Sequence, residues 1–251
     1  MATDDNYVKK FSAFLSRQHS YEVQYRETIS RLSREVNIGS VKSCLMIGAG
    51  EGKREVPLIK QCAANLTKLI AVEPDHQSVE GLRVRLHRDL PGVDCQVIET
   101  DIQSWKGLDD PVDLVLMISV LYYVPPREHK ELFKKLQEQW LTTGGFVIVL
   151  SASRTKCPGN GNKIFERLGT PLPPWEDIES DLLEAGFVKK YAHEMQCMRD
   201  YSNPDESFLR FFQTLVDQHV TLDDVRSAMK EMFPNGKSDQ LFYTIAVFQT
   251  A

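Results

Sequence analysis

The segment Gly48-Ala49-Gly50-Glu51-Gly52 constrains this chain most, because it follows the apolar run Cys44 to Ile47 and opens a helix-like stretch. Glycines at a strand-to-helix turn let backbone amides pass close to a ligand and tolerate left-handed conformations. A second apolar run, Leu69 to Val72, ends in Glu73. Strand, glycine turn, helix, then a strand ending in an acid is how an α/β fold grips a nucleoside, the acid accepting both ribose hydroxyls. The dinucleotide pattern needs its last glycine one residue later, where this chain has Lys53.

From residue 43 onward, apolar runs alternate with helical periodicity. Strands are expected at 43–47, 68–72, 95–99, 112–118, 146–150, 187–193 and 241–248, and helices at 53–64, 77–90, 128–141 and 174–185. That rhythm predicts an α/β fold with a Rossmann-like, seven-stranded, mostly parallel sheet flanked by helices. At 251 residues one domain is enough. Within it, 1–42 form a helical leader and substrate cap, with Tyr7, Phe11, Phe14 and Leu15, then Tyr21, Tyr25, Ile29 and Leu32, at helical spacing. Residues 43–153 form a cofactor-binding core, and the Gly- and Pro-dense 154–174 a lid loop. Residues 194–240 form a substrate-covering insertion with helical patterns at 204–218 and 222–233, and 241–251 the last strand.

Composition narrows the function. The net charge of −5 comes without any block of like charge, which argues against nucleic acid. The opening MATDDNYVKK has no apolar signal region, and no apolar run approaches the length of a membrane span. Cysteines 44, 62, 95, 157 and 197 are scattered and never paired as CxxC. Buried thiols in a reducing, cytoplasmic compartment are therefore expected. The histidines show no metal-ligand spacing, so no metal is expected.

Four features fall at the carboxyl ends of successive expected strands, where open parallel sheets bind ligands. They are the turn with Gly48, Ala49 and Gly50; Glu73 with Pro74; Asp101 with Ile102; and Ile118-Ser119 leading into Leu121-Tyr122-Tyr123-Val124. An adenosine needs a carboxylate for its ribose, an acceptor for its exocyclic amine and apolar side chains against the purine; Glu73, Asp101 and Ile102 supply these in order. Over roughly residues 43 to 150 the arrangement resembles that of S-adenosylmethionine-dependent methyltransferases. One departure is Met46, where such enzymes often carry an acid for the donor's ammonium group. Glu51 is the nearest alternative.

Over essentially the whole chain, the closest resemblance is to the histamine N-methyltransferase family. It is carried by the leader Tyr7-Val8-x-x-Phe11-x-x-Phe14-Leu15, by Met117-Ile118-x-x-Leu121-Tyr122-Tyr123-Val124, and by the glycine turn followed by Val72-Glu73-Pro74. The resemblance implies a monomeric enzyme with S-adenosylmethionine lying along Gly48, Glu73, Asp101 and Ile118. Ser78 stands where that family has a donor-contacting glutamine. Tyr7, Phe11, Phe14, Tyr122, Tyr123, Phe165 and a phenylalanine at 211 or 212 (Phe212 favoured) would line the acceptor pocket. The family's polar substrate contacts are changed here to Ser20, Ser119 and Tyr243. Histamine itself therefore fits poorly, because a site built to hydrogen-bond one small amine loses heavily when its partners go.

The expected activity is N-methylation of a small amine or imidazole. Tyr122 and Tyr123 would orient the acceptor, and His19 or Glu22 would take the proton. A carnosine-like imidazole dipeptide or an arylalkylamine would suit an aromatic box with altered polar corners. The alternatives are a nicotinamide-dependent oxidoreductase on a similar sheet and a methyltransferase-like protein that binds without catalysis.

Overall fold

The computed structural model describes residues 7–153, 162–236 and 239–250. The leader forms α1 (Tyr7–Ser16), a two-residue strand β1 (Gln18–His19) and α2 (Tyr21–Glu35). The core follows as β2 (Ser43–Ile47), α3 (Glu55–Cys62), β3 (Lys68–Glu73), α4 (His76–Asp89), β4 (Asp94–Glu99), β5 (Val112–Ile118), α5 (Pro126–Lys135) and β6 (Leu141–Ala152). The remainder is α6 (Asn162–Arg167), α7 (Trp175–Glu184), β7 (Val188–Arg199), α8 (Glu206–Gln213), α9 (Leu222–Met232) and β8 (Asp239–Gln249).

All seven expected strands are present, but the sheet has eight strands and is mixed. Its order is β1-β7-β8-β6-β5-β2-β3-β4. From β4 to β6 every pairing is parallel, whereas β6–β8, β8–β7 and β7–β1 are antiparallel. The reason is topological. A parallel neighbour needs a crossover helix laid on the sheet, and α8 and α9 between β7 and β8 pack elsewhere. The chain therefore returns antiparallel and slots β8 between β6 and β7. The eighth strand, β1, was hidden because two residues carry no periodicity.

Other boundaries move for local reasons. The helix expected over 128–141 begins at Pro126, which suits a first helical turn. It ends in a π-helical turn at Leu136–Trp140. The expected lid loop contains α6, while 154–161 lie outside the described residues. Cys44, Cys62, Cys95 and Cys197 form no disulfide, and Cys157 lies outside the described residues. Among the described residues no helix is long and apolar enough to cross a membrane.

Three apolar clusters hold these elements. One face of the sheet packs against α2, α3 and α4, joining Tyr21, Tyr25, Ile29 and Leu32 to Met46, Leu116, Met195 and Ile245. The other face packs against α5 and α7 through Phe133, Leu136, Trp175, Ile178 and Phe248. The third cluster is a cap in which Phe208, Phe211 and Phe212 of α8 meet Ile164, Phe165, Val225 and Met229, with Tyr7, Phe11 and Phe14 of α1 against them. Leader and insertion thus join over the same end of the sheet.

Leu32 of α2 is 0% exposed in the sheet-face cluster. Leu32→Ala is expected to lower unfolding stability by about 3 kcal/mol, measured by urea denaturation, with a single transition retained. A loss below about 1 kcal/mol, or a separate early transition, would mean that the leader is a detachable arm.

Candidate active site

The glycine turn is fixed by its own amides. Gly48 N–H donates to the Val72 carbonyl at 2.8 Å and Gly52 N–H to the Ala49 carbonyl at 2.9 Å. Gly48 has φ +62°, and a Cβ there would stand 2.2 Å from Val120 Cγ2, so only glycine passes beneath that valine. Gly50 differs: its φ is +51°, and a Cβ would meet nothing within 4 Å. At that point the turn borders open space.

Glu73 closes this space from the end of β3. Its Oε2 accepts from Gly50 N–H at 2.8 Å and its Oε1 from Asp75 N–H at 3.0 Å, and the side chain is only 5% exposed. Each carboxylate oxygen keeps further lone-pair capacity. Burial pushes the carboxyl above the ordinary glutamate range, and the two amides oppose that rise. A buried acceptor-only group beside a glycine that borders open space fits a ribose diol.

Asp101 follows β4, held beside β3 by the Thr100 N–H to Glu73 carbonyl bond of 3.2 Å. The Ser104 amide, 2.7 Å from Oδ1, is the main reason this carboxyl lies below its usual range. Ile102 packs half-buried on the neighbouring core, Ala49 is buried within the turn, and Pro74 is exposed. Ile118 belongs to the sheet-face core. Ser78 is placed differently from the sequence expectation: it is buried with Val79 and Leu82 on the inner side of α4, its amide capped by Asp75 Oδ2 at 2.8 Å. Met46 is 0% exposed, and Glu51 is ion-paired with Lys53.

Beyond the turn lies a group of rings. Tyr122 and Tyr123 occupy a short 3-10 turn after β5, their centroids 4.6 Å apart. The Tyr123 and Tyr7 hydroxyls meet at 2.6 Å. Tyr7, Phe11 and Phe14 stack along α1, and Phe211 lies 4.1 Å from Phe14 between centroids. Tyr243 of β8 contacts Tyr21 edge-on at 5.4 Å. Burial raises the pKa of Tyr7, Tyr122, Tyr123 and Tyr243, so all four stay protonated at ordinary pH. Glu73 adds to the rise at Tyr7 and Tyr123, so the acid lies within electrostatic reach of both rings. Tyr7, Phe11, Phe14, Tyr122, Tyr123 and Tyr243 are half-buried and keep some accessible surface, whereas Phe211 and Tyr21 are buried.

Several expected site residues lie elsewhere. Phe212 is 0% and Phe165 3% exposed, stacked on each other inside the cap; Phe211 meets Tyr7, Phe11 and Phe14 of α1, and Phe212 also meets Phe14. His19 pairs with Met198 on the β1–β7 ladder, whereas its neighbour Gln18 pairs with Arg199. Strand alternation turns His19 outward, where it is exposed beside Asp200. Glu22 is exposed on the outer side of α2. His19 and Glu22, expected to take the acceptor's proton, are thus both exposed to solvent. Ser20 is exposed at the start of α2 with φ +66°. Ser119, at φ +57°, stays at the recess, its Oγ accepting from Arg54 Nη1 at 3.1 Å.

Arg54 and Arg199 were missed in the sequence. They are 8% and 4% exposed, with guanidinium groups 4.4 Å from the Tyr21 ring and 3.8 Å from the Phe14 ring. Arg199 Nη2 and Gln18 Nε2 both donate to the Tyr243 hydroxyl, at 2.9 and 2.7 Å. Lys53-Arg54 follows a glycine turn and reads as solvated charge, and a strand-terminal arginine carries no periodic signal.

Two open depressions, about 270 and 250 Å³, lie on the cap beside Lys9, Lys10 and Arg210 and beside Arg167 and Asp224. The first is lined mainly by long charged side chains and the second also by Leu168, Val220, Ser227 and Ala228; neither includes a recess residue.

Residues 44–145 match a family model described as a methyltransferase domain. No curated protein matches the chain, so the resemblance to the histamine N-methyltransferase family gains no support. Among solved structures, a protein from Bacillus halodurans C-125 assigned to the methyltransferases is similar over 89% of this chain and 97% of its own, with TM-score 0.63 and 12% identity. The geranyl diphosphate C-methyltransferase of Streptomyces coelicolor A3(2), solved with S-adenosyl-L-homocysteine, is similar over 100% and 86%, with TM-score 0.57 and 12% identity. The N-methyltransferase NodS of Bradyrhizobium japonicum WM9 is similar over 92% and 98%, with TM-score 0.54 and 17% identity. At such identities the likeness is one of fold. Residues 44–145 thus match a methyltransferase domain over less than half of the chain, and the solved structures share its fold.

Proposed function

We propose that this chain transfers a methyl group from S-adenosylmethionine to a nitrogen of a small amine or imidazole, acting as a monomer. The observation that carries the proposal is Glu73: a buried carboxylate bridging Gly50 and Asp75, beside the open glycine turn and electrostatically coupled to Tyr7 and Tyr123. Glu73 would hold the ribose hydroxyls, Asp101 and Ile102 the adenine, and the turn the methionine part. When bound, the cofactor supplies an electrophilic methyl group.

The chain's own task is then to orient the acceptor and exclude water. Tyr7 and Tyr123 are joined through their hydroxyls, and Phe11, Phe14 and Phe211 close the wall above them. Rings of this kind stabilise a cationic methylated product through their faces. Protonated tyrosines orient an acceptor by hydrogen bonds and take no proton from it. This favours a nitrogen that arrives already neutral, as most imidazoles do near neutral pH. Solved proteins of similar fold include both a C- and an N-methyltransferase, so the nitrogen acceptor rests on the recess and on the family resemblance in sequence.

Two outcomes test this. Calorimetry is expected to show S-adenosylhomocysteine binding and no heat from NAD, with Glu73→Gln weakening the former about 10- to 100-fold. Because burial raises the Glu73 carboxyl, donor affinity should begin to fall on acidification at a higher pH than an exposed glutamate would give. NAD binding, or unchanged affinity in the variant, would contradict the assignment. In turnover followed by mass spectrometry, Tyr123→Phe should lower kcat/KM for the acceptor about three- to tenfold while donor affinity stays within about twofold. Equal loss on both would place Tyr123 with the donor instead.

A further inference from the structure

Arg199 ends β7, and its Cα partner across the β1–β7 ladder is Gln18. On β8, Tyr243 pairs with Met195, so all three side chains share one sheet face. They converge on the Tyr243 hydroxyl, which accepts from both Arg199 and Gln18. Arg54 faces this group from beside the glycine turn: Tyr122 and Tyr243 both feel Arg54 and Arg199.

Among the described residues neither guanidinium makes an ion pair; the polar neighbours of Arg199 are the Tyr243 and Tyr201 hydroxyls, and Arg54 donates to Ser119. Glu55, next to Arg54 in the chain, is pushed up to about 7 by its burial and so carries only part of a charge near neutrality. Meanwhile Arg199 Nε, Gln18 Oε1 and the Tyr21 hydroxyl are buried without a hydrogen-bond partner. Cations and polar atoms stripped of water cost stability unless something completes them. A carboxylate would answer the unfilled N–H of Arg199 and the Tyr21 hydroxyl, and an N–H on the same molecule would answer Gln18 Oε1.

We propose that Arg199, Gln18 and Tyr243, faced by Arg54, form a carboxylate-binding subsite, so that the methyl acceptor is a small amine or imidazole that also bears a carboxylate. This rests on the assignment of the ring-lined recess to the acceptor. The donor carries a carboxylate too, and the affinity of the Arg199 variants for S-adenosylhomocysteine distinguishes the two anions.

The test uses matched acceptors with and without the acid: histidine against histamine, β-alanylhistidine against its carboxamide, and phenylalanine against phenethylamine. Binding to the full chain saturated with S-adenosylhomocysteine is read by calorimetry, and turnover by mass spectrometry. The carboxylate member of at least one pair should bind about tenfold tighter or more, and Arg199→Gln should cost that member about 100-fold in kcat/KM. Arg199→Lys should recover part of the loss, and S-adenosylhomocysteine affinity should stay within about twofold in both variants. Equal binding of both members, or no binding of any carboxylate, overturns the subsite. A parallel loss of S-adenosylhomocysteine affinity also overturns it, by assigning the anion to the donor. Carboxylate-selective binding without turnover keeps the subsite and defeats methyl transfer, and failure of either variant to fold leaves the wild-type preference as the deciding result.

Discussion

The carboxylate of Glu73 receives two backbone amides, and much of the proposed donor site depends on that contact. It ties the third residue of the glycine turn to the end of β3 while the first residue is tied to Val72. The turn is thereby pinned along the sheet edge with Gly50 facing open space. An acid this buried would ordinarily be a liability. Here the amides of Gly50 and Asp75 stabilise its charge and leave further lone pairs, so the side chain that anchors the turn is also the one proposed to accept the donor's ribose.

The rest of the molecule brings rings and cations to the same edge. Because the connection from β7 to β8 carries its helices into the cap, β8 returns antiparallel and delivers Tyr243 opposite Ala152, at the finish of β6. The same connection supplies Phe211, which closes on Phe14 of α1. Leader and insertion lie far apart in the chain, yet they form one cap whose own core includes Phe208, Phe212 and Phe165. The recess is the seam between that cap and the sheet.

The core was legible because its signals are strong and local. Apolar runs buried on both faces, such as Leu45 to Ile47 and Leu114 to Met117, announce central strands. The glycine turn and Glu73 could be placed from spacing alone. The cap was less legible: rings at helical spacing look alike whether they pack inward or line a space, so the buried Phe212 and Phe165 could not be told from the half-buried Phe11 and Phe14. The direction of His19 was not legible, because it follows from a two-residue strand that no periodicity reveals. Arg54 and Arg199 stayed hidden because the burial of a charge depends on tertiary packing, and neither stands in a motif.

The most direct measurement is a crystal structure of the chain with S-adenosylhomocysteine. The account predicts both ribose hydroxyls on Glu73, the ligand backbone passing over Gly50, and the sulfur turned toward Tyr122 and Tyr123. A ribose held elsewhere, or a bound nucleoside whose sulfur faces away from those rings, would contradict it.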